Sequence, residues 1–158
     1  DYYTRKVDIV AKEVDDCGVK ILRNDRITLR KGNESIYLAG VDDTGNTSRA
    51  ARSMDVSIAG SDARIPTILL CHRPYFFGQA SERNIDLTLS GHTHGGQIGF
   101  GRIGRDVIAP ARVASPYVAG LYTLNSSRMY VSRGIGTVGV PIRINCPPEI
   151  TKITLSKT

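Results

Sequence analysis

The chain has 158 residues, 41% hydrophobic and 23% charged, which is enough to bury the core of one ordinary domain and too apolar for a disordered chain. Its 21 basic and 15 acidic side chains leave a net charge of +6, which favours anionic partners such as phosphate esters, anionic lipid surfaces or nucleic acid. No apolar run approaches the roughly 20 residues of a membrane span, and Cys17, Cys71 and Cys146 lack the close spacing of a zinc ribbon.

In chain order, Val7, Val10, Ala11, Val14 and Cys17 recur at helical spacing and Gly18 can stop the turn, so an amphipathic helix is expected first. Residues 19–22, 27–29 and 36–41 read as short strands of a meander, with turns at Asn24-Asp25 and Gly32-Asn33. A weaker helical pattern covers residues 47–58. Residues 68–71 and 85–89 are continuous apolar runs of the buried, parallel kind, and each leads into a histidine. Residues 95–116, rich in Gly, Pro and Arg, read as a long loop of the sort that tends to carry function. Residues 121–124, 129–131 and 150–155 complete a second set of strands. There is no internal repeat, low-complexity tract or linker, and the fold class predicted is α/β.

All three histidines lie between positions 72 and 94, in Leu70-Cys71-His72-Arg73-Pro74 and Ser90-Gly91-His92-Thr93-His94-Gly95-Gly96-Gln97. Each stands beyond the C-terminal end of an expected strand, where open α/β sheets assemble their sites. In an extended segment residues i and i+2 project to one side, so His92 and His94 are expected to face one point with Thr93 turned away. Gly91 would allow a sharp turn, and Gly95-Gly96 would leave the backbone open to a ligand or ion. Neutral imidazole is a common ligand for metal ions and needs its second nitrogen held, here by a backbone carbonyl or by Thr93. His72, His92 and His94 are therefore candidate metal ligands, with strand-end capping as the alternative. Nearby arginines are Arg73, Arg102, Arg105, Arg112 and Arg133; of these Arg73 and Arg133 stand beside motifs and are candidates for phosphate recognition.

Other patterns carry less. Gly99-Phe100-Gly101-Arg102-Ile103-Gly104 matches the dinucleotide glycine spacing, but it has no strand immediately before it and no convincing helix after it. Cys71 and His72 are neighbours on a strand and point to opposite faces, which disfavours a thiol nucleophile with its base. Asp42-Asp43 before Thr44-Gly45 reads as a cap or turn, with reach toward a site as the alternative.

The two histidine segments resemble the last two metal-ligand motifs of the calcineurin-like metallophosphoesterases. The stretches Tyr130-Val131-Ser132-Arg133-Gly134-Ile135-Gly136-Thr137 and Asn145-Cys146-Pro147-Pro148-Glu149-Ile150-Thr151 are similar to a bacterial, often membrane-associated branch of that family. The resemblance implies the C-terminal part of a four-layer αββα sandwich and metal-assisted hydrolysis of a phosphate ester. It implies two divalent ions (Mn, Fe or Zn), His72 and His92 on one and His94 on the other. The family's first three motifs, Asp-x-His, Gly-Asp-x-x-Asp and Gly-Asn-His-Asp, are not in the chain, and Asp1 looks like the end of the third. Residues 1–158 are thus expected to be the C-terminal portion of one domain, inactive or nearly so alone, binding metal weakly and associating with the missing portion or with itself. Two readings from other classes stay open, a metal-stabilised interaction domain and a basic nucleic-acid module. Against the second, the chain has 3 Phe, 7 Tyr and no Trp, with no aromatic run to stack bases.

Overall fold

The computed structural model describes residues 7–103, 106–109 and 111–156. The expected first helix forms as α1 (Val7–Asp16) and ends where Gly18 takes φ 78°. None of its residues is fully buried: Val7, Ala11 and Val14 of its apolar stripe are half-buried, and Ile9 is 56% exposed. Asn24 at φ 53° and Gly32 at φ 59° then turn the chain into a hairpin. Its strands, β1 (Asp25–Lys31) and β2 (Glu34–Gly40), pair antiparallel from Asp25↔Gly40 to Lys31↔Glu34.

Helix α2 (Thr47–Ile58) matches the expected bounds; Asn46 caps it by accepting from Arg49 N–H at 3.0 Å. It buries Ala50, Met54 and Ser57 and leads to β3 (Thr67–Leu70). A one-turn 3-10 helix, Pro74–Phe76, opens α3 (Phe77–Glu82), which precedes β4 (Leu87–Ser90). Residues 95–116 are not a plain loop. They carry the small hairpin β5 (Gly101–Ile103) and β6 (Asp106–Ile108), then α4 (Ala111–Ala114). A second hairpin, β7 (Gly120–Leu124) and β8 (Ser127–Val131), turns at Asn125, φ 53°.

Six strands form one mixed sheet in the order β1-β2-β3-β4-β8-β7. The central four, β2, β3, β4 and β8, run parallel, and an antiparallel strand closes each edge. This is the α/β architecture expected, consistent with the C-terminal part of the sandwich. Two expected strands do not form. Residues 19–22 could not join β2, whose two edges are taken by β1 and β3, and Leu22 instead packs on Gly40. Residues 150–155 could not join β8, flanked by β4 and β7.

Register divides the sheet into two unlike faces. Ala39, Leu69, Thr88 and Met129 are aligned across β2, β3, β4 and β8, and all are buried. Ala39 and Leu69 join Ala50, Met54, Phe76, Ala80 and Ile85 in the main core, under α2 and α3. Met129 and Val131 pack with Phe77 against Tyr117 and Tyr122. The opposite face presents Leu38, Ile68, Leu87 and Leu89, which are half-buried, and Leu70, which is 38% exposed. These strands were expected to be buried on both faces, and among the described residues helices cover only one. No helix among the described residues is long and apolar enough to cross a membrane.

Candidate metal centre

Because β2, β3, β4 and β8 are parallel, the segments that follow them leave the sheet at one edge: Val41-Asp42-Asp43, Cys71-His72-Arg73, Gly91-His92 and Ser132-Arg133. Two bonds continue the β3–β4 ladder beyond the strands. Cys71 N–H donates to the Leu89 carbonyl at 3.1 Å, and Gly91 N–H to the His72 carbonyl at 3.1 Å. The buried Ser90 hydroxyl adds a bond to the Cys71 carbonyl at 2.7 Å. This alignment brings His72 Nε2 to 3.2 Å from His92 Nδ1, with the rings edge to face at 5.0 Å between centroids. Tyr75 stands edge-on to His92 at 6.0 Å.

Burial pushes both imidazoles below their usual range; Arg73 pushes the same way and Asp43 opposes it. Both are accordingly neutral at neutral pH, the form that ligates metal. Two nitrogens about 2.1 Å from one ion and about 90–109° apart would be separated by about 3.0–3.4 Å, so the His72–His92 spacing fits a shared ion. Among the described residues no group of three or more His, Cys, Asp or Glu side chains is arranged to hold an ion. The two imidazole nitrogens are of a chemistry suited to a metal ion.

His94 is held differently. The His92–His94 segment is not extended as expected: His92 takes φ 70°, Thr93 is helical, and His94 takes φ 51° at the start of a one-turn 3-10 helix, His94–Gly96. The sharp turn therefore falls on His92 and not on Gly91. A non-glycine residue in the left-handed region is strained by order 1 kcal/mol or more and is often found at functional sites. His94 Nδ1 lies 3.2 Å from the Gly136 carbonyl, which only accepts, so Nδ1 carries the proton and Nε2 keeps its lone pair. A backbone carbonyl is thus the orienting partner. Thr93 instead ties the loop down by donating to the Val118 carbonyl at 2.6 Å.

The glycines after His94 serve packing. A Cβ on Gly95 (φ 64°) would collide with the Arg133 stem and come within 2.7 Å of Cys146 Sγ, and one on Gly96 would collide with Ala109. Three further residues hold this loop, none of them assigned a role from the sequence. Gln97 is buried; its amide nitrogen donates to the carbonyls of Val138 and Val140, both at 3.0 Å, and its oxygen accepts from Val138 N–H. Cys146 Sγ lies 3.1 Å from the His94 carbonyl. Arg143 donates to the carbonyls of His94, Gly136, Arg133, Gly134 and Cys146. Gln97 closes the second histidine segment and Cys146 lies in the motif-like tail, but the bonds that tie them to this loop, such as Gln97 to Val138, span 41 or more residues and leave no local signal.

Both candidate arginines are at this edge, each held by a carboxylate. Arg73 grips Asp43 with two bonds, 2.5 and 3.1 Å, and donates to Tyr75 Oη at 2.6 Å. Arg133 donates to Glu149 at 2.5 Å, and Tyr130 and Thr151 bind the same carboxylate. Asp42 and Asp43 are hence partners of Arg23 and Arg73. Burial raises the Cys71 thiol to about 11, which removes it from nucleophilic chemistry. Arg105 and the side chain of Arg102 lie outside the described residues.

The α/β sheet thus gathers His72, His92 and two carboxylate-held arginines at the C-terminal ends of its parallel strands. The chain is 34% identical over 144 residues to the uncharacterized metallophosphoesterase YkuE of Bacillus subtilis, covering 89% of this chain and 48% of that protein. It is 34% identical over 169 residues to the transmembrane protein with metallophosphoesterase domain of Danio rerio, covering 99% of this chain and 37% of that protein. To phosphodiesterase YaeI of Escherichia coli it is 29% identical over 152 residues, 96% of this chain and 53% of the relative. No family model matches the chain, and no solved structure does. The chain belongs to the calcineurin-like metallophosphoesterase family. It spans about a third to a half of the length of these curated relatives.

Proposed function

We propose that this chain is the C-terminal portion of a metal-dependent phosphoesterase domain that hydrolyses a phosphate monoester, diester or pyrophosphate at a dinuclear centre. His72, His92 and His94 are its contribution to that centre. The observation that carries the reading is the His72–His92 pair, two neutral imidazoles whose nitrogens are 3.2 Å apart at the end of adjacent parallel strands.

Bound divalent ions, Mn, Fe or Zn, would supply an activated water and neutralise charge on the phosphoryl oxygens. The protein's part is placement. His72 and His92 bring two ring nitrogens within 3.2 Å of each other, where one ion could take both in place of the hydrogen bond between them, and the Gly136 carbonyl fixes the tautomer that leaves His94 Nε2 available. Arg73 and Arg133, held by Asp43 and Glu149 with little side-chain freedom left to lose, are the residues assigned here to the phosphoryl oxygens. The remaining ligands and the general acid come from another portion of the domain. That portion also has a surface to cover, the half-exposed sheet face around Leu70 and the apolar tail in which Ile135 is 70%, Val138 65% and Ile150 90% exposed. Alone, the chain would bury these by self-association.

The test is hydrolysis of bis(p-nitrophenyl) phosphate by the full-length protein with Mn²⁺. His72→Ala and His92→Ala should each lower kcat/KM by about a hundredfold or more, since removing even an outer partner of a metal ligand costs about 10–100-fold. Wild-type activity in either variant would contradict the reading.

A further inference from the structure

Beside the histidines, a cavity of about 640 Å³ opens between the segment after β2 and helix α2, lined by Asp42, Asp43, Arg49, Arg52, Val56 and Arg73 among others. It adjoins the candidate centre, because Arg73 follows His72 directly and grips Asp43 across the cavity wall. The charges in it do not cancel. Asp43 is held by Arg73 and Asp42 by Arg23. Asp55, which could have reached Arg52 along α2, is instead held through both its oxygens by Arg83, at 2.7 and 3.1 Å. Arg49 and Arg52 are one turn apart on the same side of α2, exposed, and neither guanidinium meets a carboxylate among the described residues. Two guanidinium forks thus line one cavity without a carboxylate partner among the described residues, and guanidinium matches the oxygens of a phosphoryl group in shape and charge.

We propose that this cavity is a second anion subsite in which Arg49 and Arg52 bind a non-reacting phosphoryl group of the substrate, so that the preferred substrate carries two phosphoryl groups separated by a spacer. The inference rests on the phosphoesterase reading and names the substrate class for it. Val56, 62% exposed on the cavity wall, offers the spacer an apolar surface.

The experiment measures competitive inhibition of bis(p-nitrophenyl) phosphate hydrolysis by the full-length protein. The inhibitors are propylphosphonate and a series of α,ω-alkane bisphosphonates of graded chain length. One spacer length should inhibit about ten- to a hundredfold more tightly than the monophosphonate, the gain expected from one or two charge-assisted contacts. Arg49→Gln/Arg52→Gln should bring that ratio close to one, and Arg49→Lys/Arg52→Lys should keep part of it. Circular dichroism of both variants checks that α2 is intact. A ratio that stays the same in the Gln variant, or no advantage at any spacer length, overturns the subsite. Wild-type hydrolysis in His92→Ala sinks the histidine metal centre on which the subsite rests. Hydrolysis lost in His92→Ala together with a ratio indifferent to Arg49 and Arg52 sinks the subsite alone.

Discussion

His94 and Arg143 are joined twice: the guanidinium donates to the His94 carbonyl at 3.2 Å, and both residues bond to the carbonyl of Gly136. Arg143 thereby fixes the backbone of the ligand loop and the carbonyl that sets the His94 tautomer. Replacing it leaves several carbonyls without their charged donor. Arg143→Ala should destabilise the protein by about 2–3 kcal/mol in urea denaturation, and Arg143→Lys should recover less than half, because an ammonium lacks the planar fork.

Gly95 and Gly91 make a matched pair. At Gly95 both the left-handed backbone and the contact with Arg133 and Cys146 exclude a methyl group, whereas nothing lies within 4 Å of a Cβ on Gly91. Gly95→Ala should cost about 2–4 kcal/mol from overpacking and backbone strain together. Gly91→Ala should cost less than about 0.5 kcal/mol. Thermal melts of the two variants check this directly.

Acid should act on two separate limbs. Burial holds His72 and His92 below the usual imidazole range, so the unfolded chain binds protons that the metal-free native state refuses. Stability from this source is full above about pH 6.5 and falls as pH drops through the lower folded values. His72→Gln/His92→Gln should flatten that limb in denaturation curves taken on either side of it. Burial alone would raise Glu149, but bonds from Thr151, Tyr130 and Arg133 prevail and hold it low. Its contribution is present above about pH 4.3 and is lost as pH falls further, so the Glu149 limb should survive the histidine variant.

Leu69 and Leu70 are consecutive and face opposite sides of the sheet, the first fully buried and the second 38% exposed. Leu69→Ala should cost about 2–4 kcal/mol in any context. Leu70→Ala should cost less than about 1 kcal/mol in a monomer of this chain and about 2 kcal/mol or more in the full-length protein, where the proposed remainder of the domain covers it. Equal effects in both would mean that this face stays open.

What could be read from the sequence follows the range of the interactions. Helix α2 has its cap and its apolar spacing inside one local window, and β3 and β4 are short apolar runs that lead into histidines, so their positions were legible. Residues 19–22 and 150–155 look like strands locally, but the neighbours of β2 and β8 are supplied by other segments, which a local window does not reveal. Period-two logic put His92 and His94 on one side of an extended segment and missed how they are placed, because both adopt positive φ, which no side-chain pattern announces. The clamp formed by Gln97, Arg143 and Cys146 joins segments far apart in sequence. Its acceptors are mostly backbone carbonyls, which leave no mark on composition.

The central claim, that these histidines belong to a metal centre, is tested most directly by counting ions. Purified full-length protein, stripped with chelator and titrated calorimetrically with Mn²⁺ at neutral pH, should take up two ions per chain, and His92→Ala should lose at least one or bind it about 10–100-fold more weakly. Stoichiometry and affinity unchanged by His92→Ala would contradict the assignment.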